Sequence, residues 1–292
     1  MHEINLFNHT IKLRDYHCSL NSEKGIKITK PYVNMYVKLN NTCNARCKFC
    51  KFTSTSIKNN FNFDKYIEIF KEIRKTVKIN KISFTGGEPT LNLKLLNKCL
   101  NFVKSNDKNI FTVVNTNGLH LKILDFFVTI NSIALSRHHY NDQINNKILN
   151  FKTPSKNDIK MFKNKNNLHL SCNLIKGYID SENEVLKYLD EVSKLEVNDV
   201  GFVSLMKINN YCREHHIDFN LLNFNNKKDI YINKEWQNKN YCRCRNYLFM
   251  SQSTGNIVKV YSRYYSNSHN PESILVFDGQ HLREGFNGKI IY

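Results

Sequence analysis

Glycine and proline are scarce in this sequence, with ten and four occurrences among 292 residues. Because these residues dominate turns and flexible linkers, their scarcity excludes a chain made of low-complexity or disordered segments. No run of eighteen apolar residues occurs, so no segment has the composition of a membrane-spanning helix. Hydrophobic residues make up 41% of the chain, as in globular proteins. We therefore expect a folded protein with one large domain, or a domain and an extension.

Acidic residues are also few: 25 aspartates and glutamates stand against 43 lysines and arginines, a net charge of +18. The basic residues are spread along the chain without a block of five or six, which is typical of a solvated surface. We therefore predict no nucleic-acid partner, whereas an anionic small substrate would suit this charge. The first residues lack the basic and apolar regions of a secretory signal. We expect a cytoplasmic protein without a membrane partner, whose nine cysteines are reduced.

Short runs rich in Val, Ile, Tyr and Phe alternate with amphipathic segments through the first two thirds of the chain. The strands are predicted at 32–39, 81–84, 110–114, 132–135, 168–175 and 200–206, and the helices at 64–77, 93–103 and 182–195. Such alternation predicts an α/β fold with a parallel sheet, which binds ligands at the carboxyl ends of its strands. We divide the chain into an N-terminal extension (1–31), this domain (32–207) and a smaller C-terminal subdomain (208–292).

Three cysteines lie together in the segment NNTCNARCKFC, directly after the first predicted strand: Cys43, Cys47 and Cys50. Three thiolates without a fourth ligand leave one coordination position open, and an open position is a reactive one. A cubane 4Fe-4S cluster held by three cysteines has one iron free for another ligand. Two other interpretations stay open, namely buried cysteines that fill space and a zinc site completed from elsewhere in the chain.

CNARCKFC resembles the CxxxCxxC motif of the radical S-adenosylmethionine (SAM) superfamily, including an aromatic residue, Phe49, before the last cysteine. TGGEPT resembles that superfamily's GGEP element, here Gly86, Gly87, Glu88 and Pro89. The resemblance implies a partial (β/α)6 barrel, with SAM on the fourth iron and its methionine amino group on the GGEP element. Glycines allow close backbone approach, and a carboxylate accepts hydrogen bonds from an ammonium group. A helix-start carboxylate is the alternative role for Glu88.

Further cofactor-binding residues are predicted at the ends of later strands. NTNG, with Asn115 and Asn117, resembles the TNG loop of several branches of the superfamily. Ser136 and Arg137 end the fourth strand, where the resemblance implies groups for the ribose or carboxylate of SAM, and Asn173 in the fifth strand is a similar candidate. Ordinary loop or core polar residues are the alternative.

A second cluster is predicted on Cys212, Cys242 and Cys244. The segment around the last two, YCRCRNYLFMSQSTGNIVKVY, resembles the cysteine-containing hairpin of the GTP cyclase of molybdenum-cofactor biosynthesis. Tyr261 stands in place of that enzyme's last cysteine and the chain ends in GKIIY instead of a glycine pair, so we do not expect that cyclase itself. Unrelated buried thiols or zinc are the alternatives, and Cys18 and Cys99 are assigned to packing.

The leading functional hypothesis is a radical SAM enzyme that forms a 5'-deoxyadenosyl radical, works without oxygen and attacks a small polar metabolite or nucleotide. The alternative is a peptide-modifying enzyme, an epimerase or crosslinking maturase, in which Cys172 or Cys212 donates a hydrogen atom. A non-catalytic iron-sulfur or nucleic-acid-binding protein is a third possibility, but it gives Glu88 and its glycines no purpose. An electron donor such as flavodoxin or ferredoxin is the expected protein partner.

Overall fold

A computed structural model describes residues 2–13, 16–17, 26–27, 30–50, 60–217, 230–231, 245–263 and 273–292. Its strands are β1 (His2–Leu6), β2 (His9–Leu13), β3 (Tyr16–His17), β4 (Ile26–Lys27), β5 (Tyr32–Lys38), β6 (Lys78–Thr85), β7 (Phe111–Thr116), β8 (Ser132–Ser136), β9 (Leu168–Leu174), β10 (Asp199–Ser204), β11 (Ile230–Tyr231), β12 (Arg245–Met250), β13 (Ile257–Arg263), β14 (Ile274–Phe277) and β15 (Leu282–Glu284). Its α-helices are α1 (Phe63–Thr76), α2 (Leu93–Asn106), α3 (Leu121–Leu124), α4 (Asp142–Leu149), α5 (Lys156–Lys160), α6 (Glu182–Ser193) and α7 (Asn210–Glu214).

Strands β5 to β10 are parallel and adjacent in chain order, with helices between them, which confirms the predicted partial (β/α)6 barrel. Helix α1 begins where the side chain of Asn62 accepts a hydrogen bond from the backbone of Lys65, and its buried face packs on the sheet. Among the described residues, none of the helices combines the length and apolar composition that a bilayer crossing requires.

The two faces of the barrel wall differ in polarity. In β9, Leu168, Leu170, Cys172 and Leu174 are buried in the outer layer beneath the helices, whereas the alternating residues are only partly buried. Because side chains alternate along a strand, the strand register assigns the inner side chains of every parallel strand. These inner side chains are mostly small or polar, and they include Asn34, Tyr36, Ser83, Asn115, Ser132, Ser136, His169, Ser171 and Asn173.

The segment predicted as a C-terminal subdomain contributes strands to both ends of this sheet. Strand β13 pairs in parallel with β10, and β14 pairs in parallel with β5. The alternation of apolar residues along a strand does not specify which strand it pairs with. The outer edges of β5 and β10 offer unpaired backbone groups, and β14 and β13 pair with them. The domain boundary at 208 stays a prediction. In the N-terminal extension, β1 and β2 form a hairpin whose buried Leu6, Ile11 and Leu13 join the core.

Candidate functional site

The predicted cluster cysteines follow β5 at the carboxyl end of the barrel strands. The loop is anchored on the end of α4, because the backbone N–H of Arg46 donates to the carbonyl of Leu149 at 3.0 Å. The thiol of Cys47 lies 3.7 Å from the same carbonyl, and the amide of Cys50 donates to the carbonyl of Cys47 at 3.0 Å. The loop therefore has a fixed position on the barrel rim.

Partial burial makes the thiols of Cys43 and Cys47 hard to ionise without a metal. Burial is the main cause that raises the pKa of Cys47 to about 12, and the nearby Cys50 and Cys43 thiols add to it. Burial likewise raises the pKa of Cys43, with Glu88 and Cys50 contributing. A cation that bound all three sulfurs would remove this penalty, because metal ligation requires thiolates. Among the described residues, no three His, Cys, Asp or Glu side chains are arranged to hold a single metal ion. A cubane does not require that arrangement, since each of its irons takes one cysteine, and the donor set fits it.

The GGEP loop lies directly against the cysteine loop. The amide of Gly87 donates to the carbonyl of Asn40 at 2.9 Å, and that of Glu88 donates to the carbonyl of Thr42 at 2.8 Å. A Cβ atom on Gly86 would lie 2.3 Å from the carbonyl oxygen of Asn40, and one on Gly87 would lie 1.9 Å from that of Thr42. Both glycines are therefore required for the two predicted motifs to meet.

Glu88 is buried, and its carboxylate accepts four hydrogen bonds from this chain. One oxygen accepts from the amide of Thr90 at 3.0 Å, from its hydroxyl at 2.6 Å and from the hydroxyl of Thr116 at 2.7 Å. The other oxygen accepts from the amide of Asn117 at 2.7 Å. Glu88 thus caps the 3-10 turn at Pro89–Asn92, which is the helix-start role given above as the alternative for this residue. It also connects this turn to the NTNG loop.

Asn117 connects the NTNG loop to the cysteine loop. Its amide nitrogen donates to the side-chain oxygen of Asn44 at 2.8 Å and lies 3.8 Å from the sulfur of Cys43. The other predicted asparagine of this loop, Asn115, faces the barrel interior and donates to the carbonyl of Phe84 at 3.4 Å. Two buried polar atoms beside the cysteines, Oδ1 of Asn40 and Nδ2 of Asn44, have no hydrogen-bond partner. Unsatisfied groups at this point suit a polar ligand.

The residues predicted at the later strand ends lie on different faces of the wall. Ser136 and Asn173 continue the inner faces of β8 and β9. Arg137, one residue further, is buried on the outer side, where it pairs with Asp142 at 2.5 Å and donates to the carbonyl of Tyr140 at 3.0 Å. Its guanidinium therefore holds the loop after β8, and contact with SAM stays a prediction for this residue.

Sequence reasoning missed His138, which lies against the cysteine loop. Its ring is buried and meets the ring of Phe49 edge to face at 5.0 Å between centroids. Its Nδ1 accepts from the amide of Asn173 at 3.0 Å, and burial lowers its pKa to about 3, so the imidazole is neutral. The histidine pair directly after the strand, in SRHH, was the available signal.

Cys212 lies in the buried face of α7, and its thiol donates to the carbonyl of Phe49 at 3.4 Å. The structure thus places it beside the first cysteine loop, while Cys242 and Cys244 lie outside the described residues. Cys172 points into the outer layer, away from the barrel interior, and Cys99 is buried in the core as predicted. Cys18 also lies outside the described residues.

A cavity of about 800 Å³ opens between the end of β5 and the hairpin β14–β15, next to the cysteine loop. Its lining is polar and carries both charges: Lys38, Asn41, Asp278, Gln280, His281, Arg283, Phe286 and Asn287. Asp278 pairs with Arg283 at 2.9 Å. This volume is in the range of small-molecule sites.

Comparisons with known proteins agree with this arrangement. The Radical SAM superfamily model matches residues 37–192. The chain is 31% identical over 116 residues to the "Probable GTP 3',8-cyclase" of Thermoplasma volcanium, covering 39% of this chain and 35% of that protein. It is 34% identical over 100 residues to the "Putative peptide biosynthesis protein YydG" of Bacillus subtilis, covering 33% and 31%.

Among solved structures, SuiB of Streptococcus suis bound to SAM shares the fold, with a TM-score of 0.51 and 15% identity over 62% of this chain and 42% of SuiB. The chain therefore spans about a third of the two curated relatives and less than half of SuiB.

Proposed function

The chain belongs to the radical SAM superfamily, and on that premise we propose that it cleaves SAM reductively and removes a hydrogen atom from a peptide substrate. The observation that carries the first part is the junction of the two motifs. The amides of Gly87 and Glu88 donate to carbonyls at the start of the cysteine loop, so the residues for cluster and SAM meet at one point.

Cys43, Cys47 and Cys50 would hold the cluster, each on one iron. When bound, the cluster and SAM supply the one-electron cleavage that yields a 5'-deoxyadenosyl radical. The protein's part is to fix geometry and exclude water. Phe49 lies in the cysteine loop and contacts the ring of His138 edge to face, and this contact limits the movement of the loop.

SAM would lie across the strand ends, in contact with the backbone of Gly86 to Pro89 and with the inner side chains Asn115, Asn117, Ser136 and Asn173. Glu88 is expected to position this site, because its oxygens already accept four hydrogen bonds. Arg137 is expected to act in the same indirect way through its pair with Asp142.

A peptide is the substrate class that the comparisons favour. One curated relative carries a peptide-biosynthesis name. The wall supports this choice, because its inner face carries uncharged polar side chains such as Asn115, Ser171 and Asn173, which suit backbone amide groups. A nucleotide or other small polar metabolite is the second candidate, favoured by the relative named as a GTP cyclase and by the cavity of about 800 Å³.

Reconstituting the enzyme without oxygen tests both candidates in one reaction. With a reductant and SAM, we expect a brown protein that forms 5'-deoxyadenosine. Adding a peptide encoded beside the gene should give a product with an altered peptide mass, whereas GTP should be recovered unchanged. Conversion of GTP and not of the peptide would reverse the choice of substrate. An absence of 5'-deoxyadenosine under all conditions would overturn the assignment of SAM cleavage.

An acidic carrier such as flavodoxin or ferredoxin is proposed as the electron donor. Exposed basic residues surround the cysteine loop on the chain segments that contact it: Arg46, Lys48, Lys147, Lys152, Lys207 and Arg213. Opposite charge on the partner would speed its association. A reaction rate with flavodoxin that did not change with salt would count against this surface.

A second cluster on Cys212, Cys242 and Cys244 remains a proposal. We expect about eight irons per chain in the wild type and about four when these three cysteines are changed to alanine, because each cubane holds four. The variant with only Cys242 and Cys244 changed is the matched control, because it keeps Cys212, which packs beside Phe49 in the first cysteine loop. A wild-type content near four irons would remove the second cluster.

A further inference from the structure

A histidine–aspartate pair lies on the inner face of the barrel, away from the cysteine loop. Nδ1 of His169 in β9 lies 2.5 Å from Oδ1 of Asp199 at the start of β10. Their side chains keep 25% and 37% of their exposure, and both lie on the inner face of the wall near the amino ends of their strands. The proposed cleavage of SAM does not use this pair.

The neighbouring backbone is shaped around the histidine ring. Gly201 follows Asp199 on the same face of β10, and a Cβ atom there would lie 2.7 Å from Nε2 and 2.9 Å from Cε1 of His169. Tyr261, in register with Gly201 on β13, has its ring centroid 6.3 Å from that of His169. The Nε2–Cε1 edge of the ring thus lies over Gly201, a position that a larger residue there would prevent.

The contact with Asp199 determines which nitrogen carries the proton. A carboxylate accepts, so Nδ1 is the protonated nitrogen of the neutral ring and Nε2 carries the lone pair. Aspartate also stabilises the imidazolium that forms when Nε2 gains a proton. Lys259, in register with Asp199, and Tyr261, in register with Gly201, are the titratable groups at the facing positions of β13, and Ala134, in register with His169 on β8, carries no charge.

We propose that His169, oriented by Asp199 over Gly201, accepts a proton from an N–H or O–H group of the substrate inside the barrel. The proton moves to Nε2 and leaves its electron pair on the substrate atom, while the imidazolium stays paired with Asp199. This inference rests on the proposed function, because it makes the barrel interior the place where substrate binds.

The pair lies too far toward the amino ends of the strands to contact the cluster cysteines, which follow the carboxyl end of β5. His169 precedes Asn173 by four residues along β9, a distance of roughly 13 Å at the usual rise of a strand. A substrate that reaches both ends must be extended over several bonds, as a peptide is. His169 would therefore act on a part of the substrate that lies closer to the amino ends of the strands than the radical site does. It would select for substrates that carry an N–H or O–H group there.

The test compares His169→Gln, Asp199→Asn and Gly201→Ala in the reconstituted full-length enzyme with the peptide encoded beside the gene. We expect modified peptide per 5'-deoxyadenosine to fall about tenfold or more in each, in keeping with the loss of a general base. Imidazole added to His169→Gly should restore part of the product. His120→Gln, a histidine outside this face, is the control. An unchanged ratio in all three variants would overturn the proposal.

A second measurement does not depend on the peptide. Diethyl pyrocarbonate modifies unprotonated, accessible imidazole nitrogen, so wild-type His169 should react and Gly201→Ala should slow its modification severalfold. If the wild type forms 5'-deoxyadenosine but leaves the peptide unmodified, the proposed peptide substrate fails, and this measurement alone judges His169. An unreactive His169 in the wild type would show that Nε2 is not available and would overturn the inference.

Discussion

Replacing Cys43, Cys47 or Cys50 by alanine is expected to abolish formation of 5'-deoxyadenosine. Each thiolate would hold a different iron, so no remaining cysteine of the loop can substitute for a missing one. We expect each variant to lose most of the iron assigned to this loop and the corresponding part of the brown colour, because a missing ligand leaves one iron of the cluster unprotected. Anaerobic reconstitution, iron analysis and chromatography of the SAM products measure all three effects.

Cys99→Ala is the matched control for these variants. Cys99 is fully buried in α2, within the core and outside the cysteine loop. Removing its sulfur should cost about 1 kcal/mol of stability, as for a single buried methyl-sized group. Iron content and SAM cleavage should remain at the wild-type level. Full cleavage by any variant of the three loop cysteines would contradict their assignment as cluster ligands.

Glu88→Gln is expected to weaken both the fold of the site and its affinity for SAM. Each carboxylate oxygen accepts from a backbone amide, that of Thr90 on one side and that of Asn117 on the other. A glutamine must place its NH2 group against one of these amides, which cannot reorient. A buried donor then faces another donor, and the loss should be about 1–3 kcal/mol in the free energy of unfolding.

The effect on SAM should accompany this loss, because Glu88 fixes the turn and the NTNG loop on which we place the cosubstrate. We expect the binding free energy of SAM to weaken by roughly 1.5–3 kcal/mol, as for a lost charge-assisted hydrogen bond. Glu184→Gln is the control, since Glu184 lies on α6 and accepts from the hydroxyl of Tyr140. Unchanged denaturant unfolding together with an unchanged SAM isotherm would show that Glu88 has neither role.

The chemistry-bearing segments could be predicted from the sequence because their information is local. CNARCKFC and TGGEPT are short contiguous segments, so their resemblance to the superfamily's motifs can be identified in the sequence before any fold is known. The strands and helices of the barrel could also be predicted, because their apolar periodicity is set by the side of the sheet that each residue faces.

The partners of individual side chains were decided only by the tertiary structure. Adjacent residues of a strand point to opposite faces, so Arg137 turned outward beside an inward Ser136 although both were predicted for SAM. Cys212 approaches Phe49, which is distant in sequence, and no local pattern records that contact. Likewise His169 and Asp199 meet only because β9 and β10 pair in one register. A residue's own sequence neighbourhood specifies its chemistry, whereas the register and packing of the strands specify what that chemistry can reach.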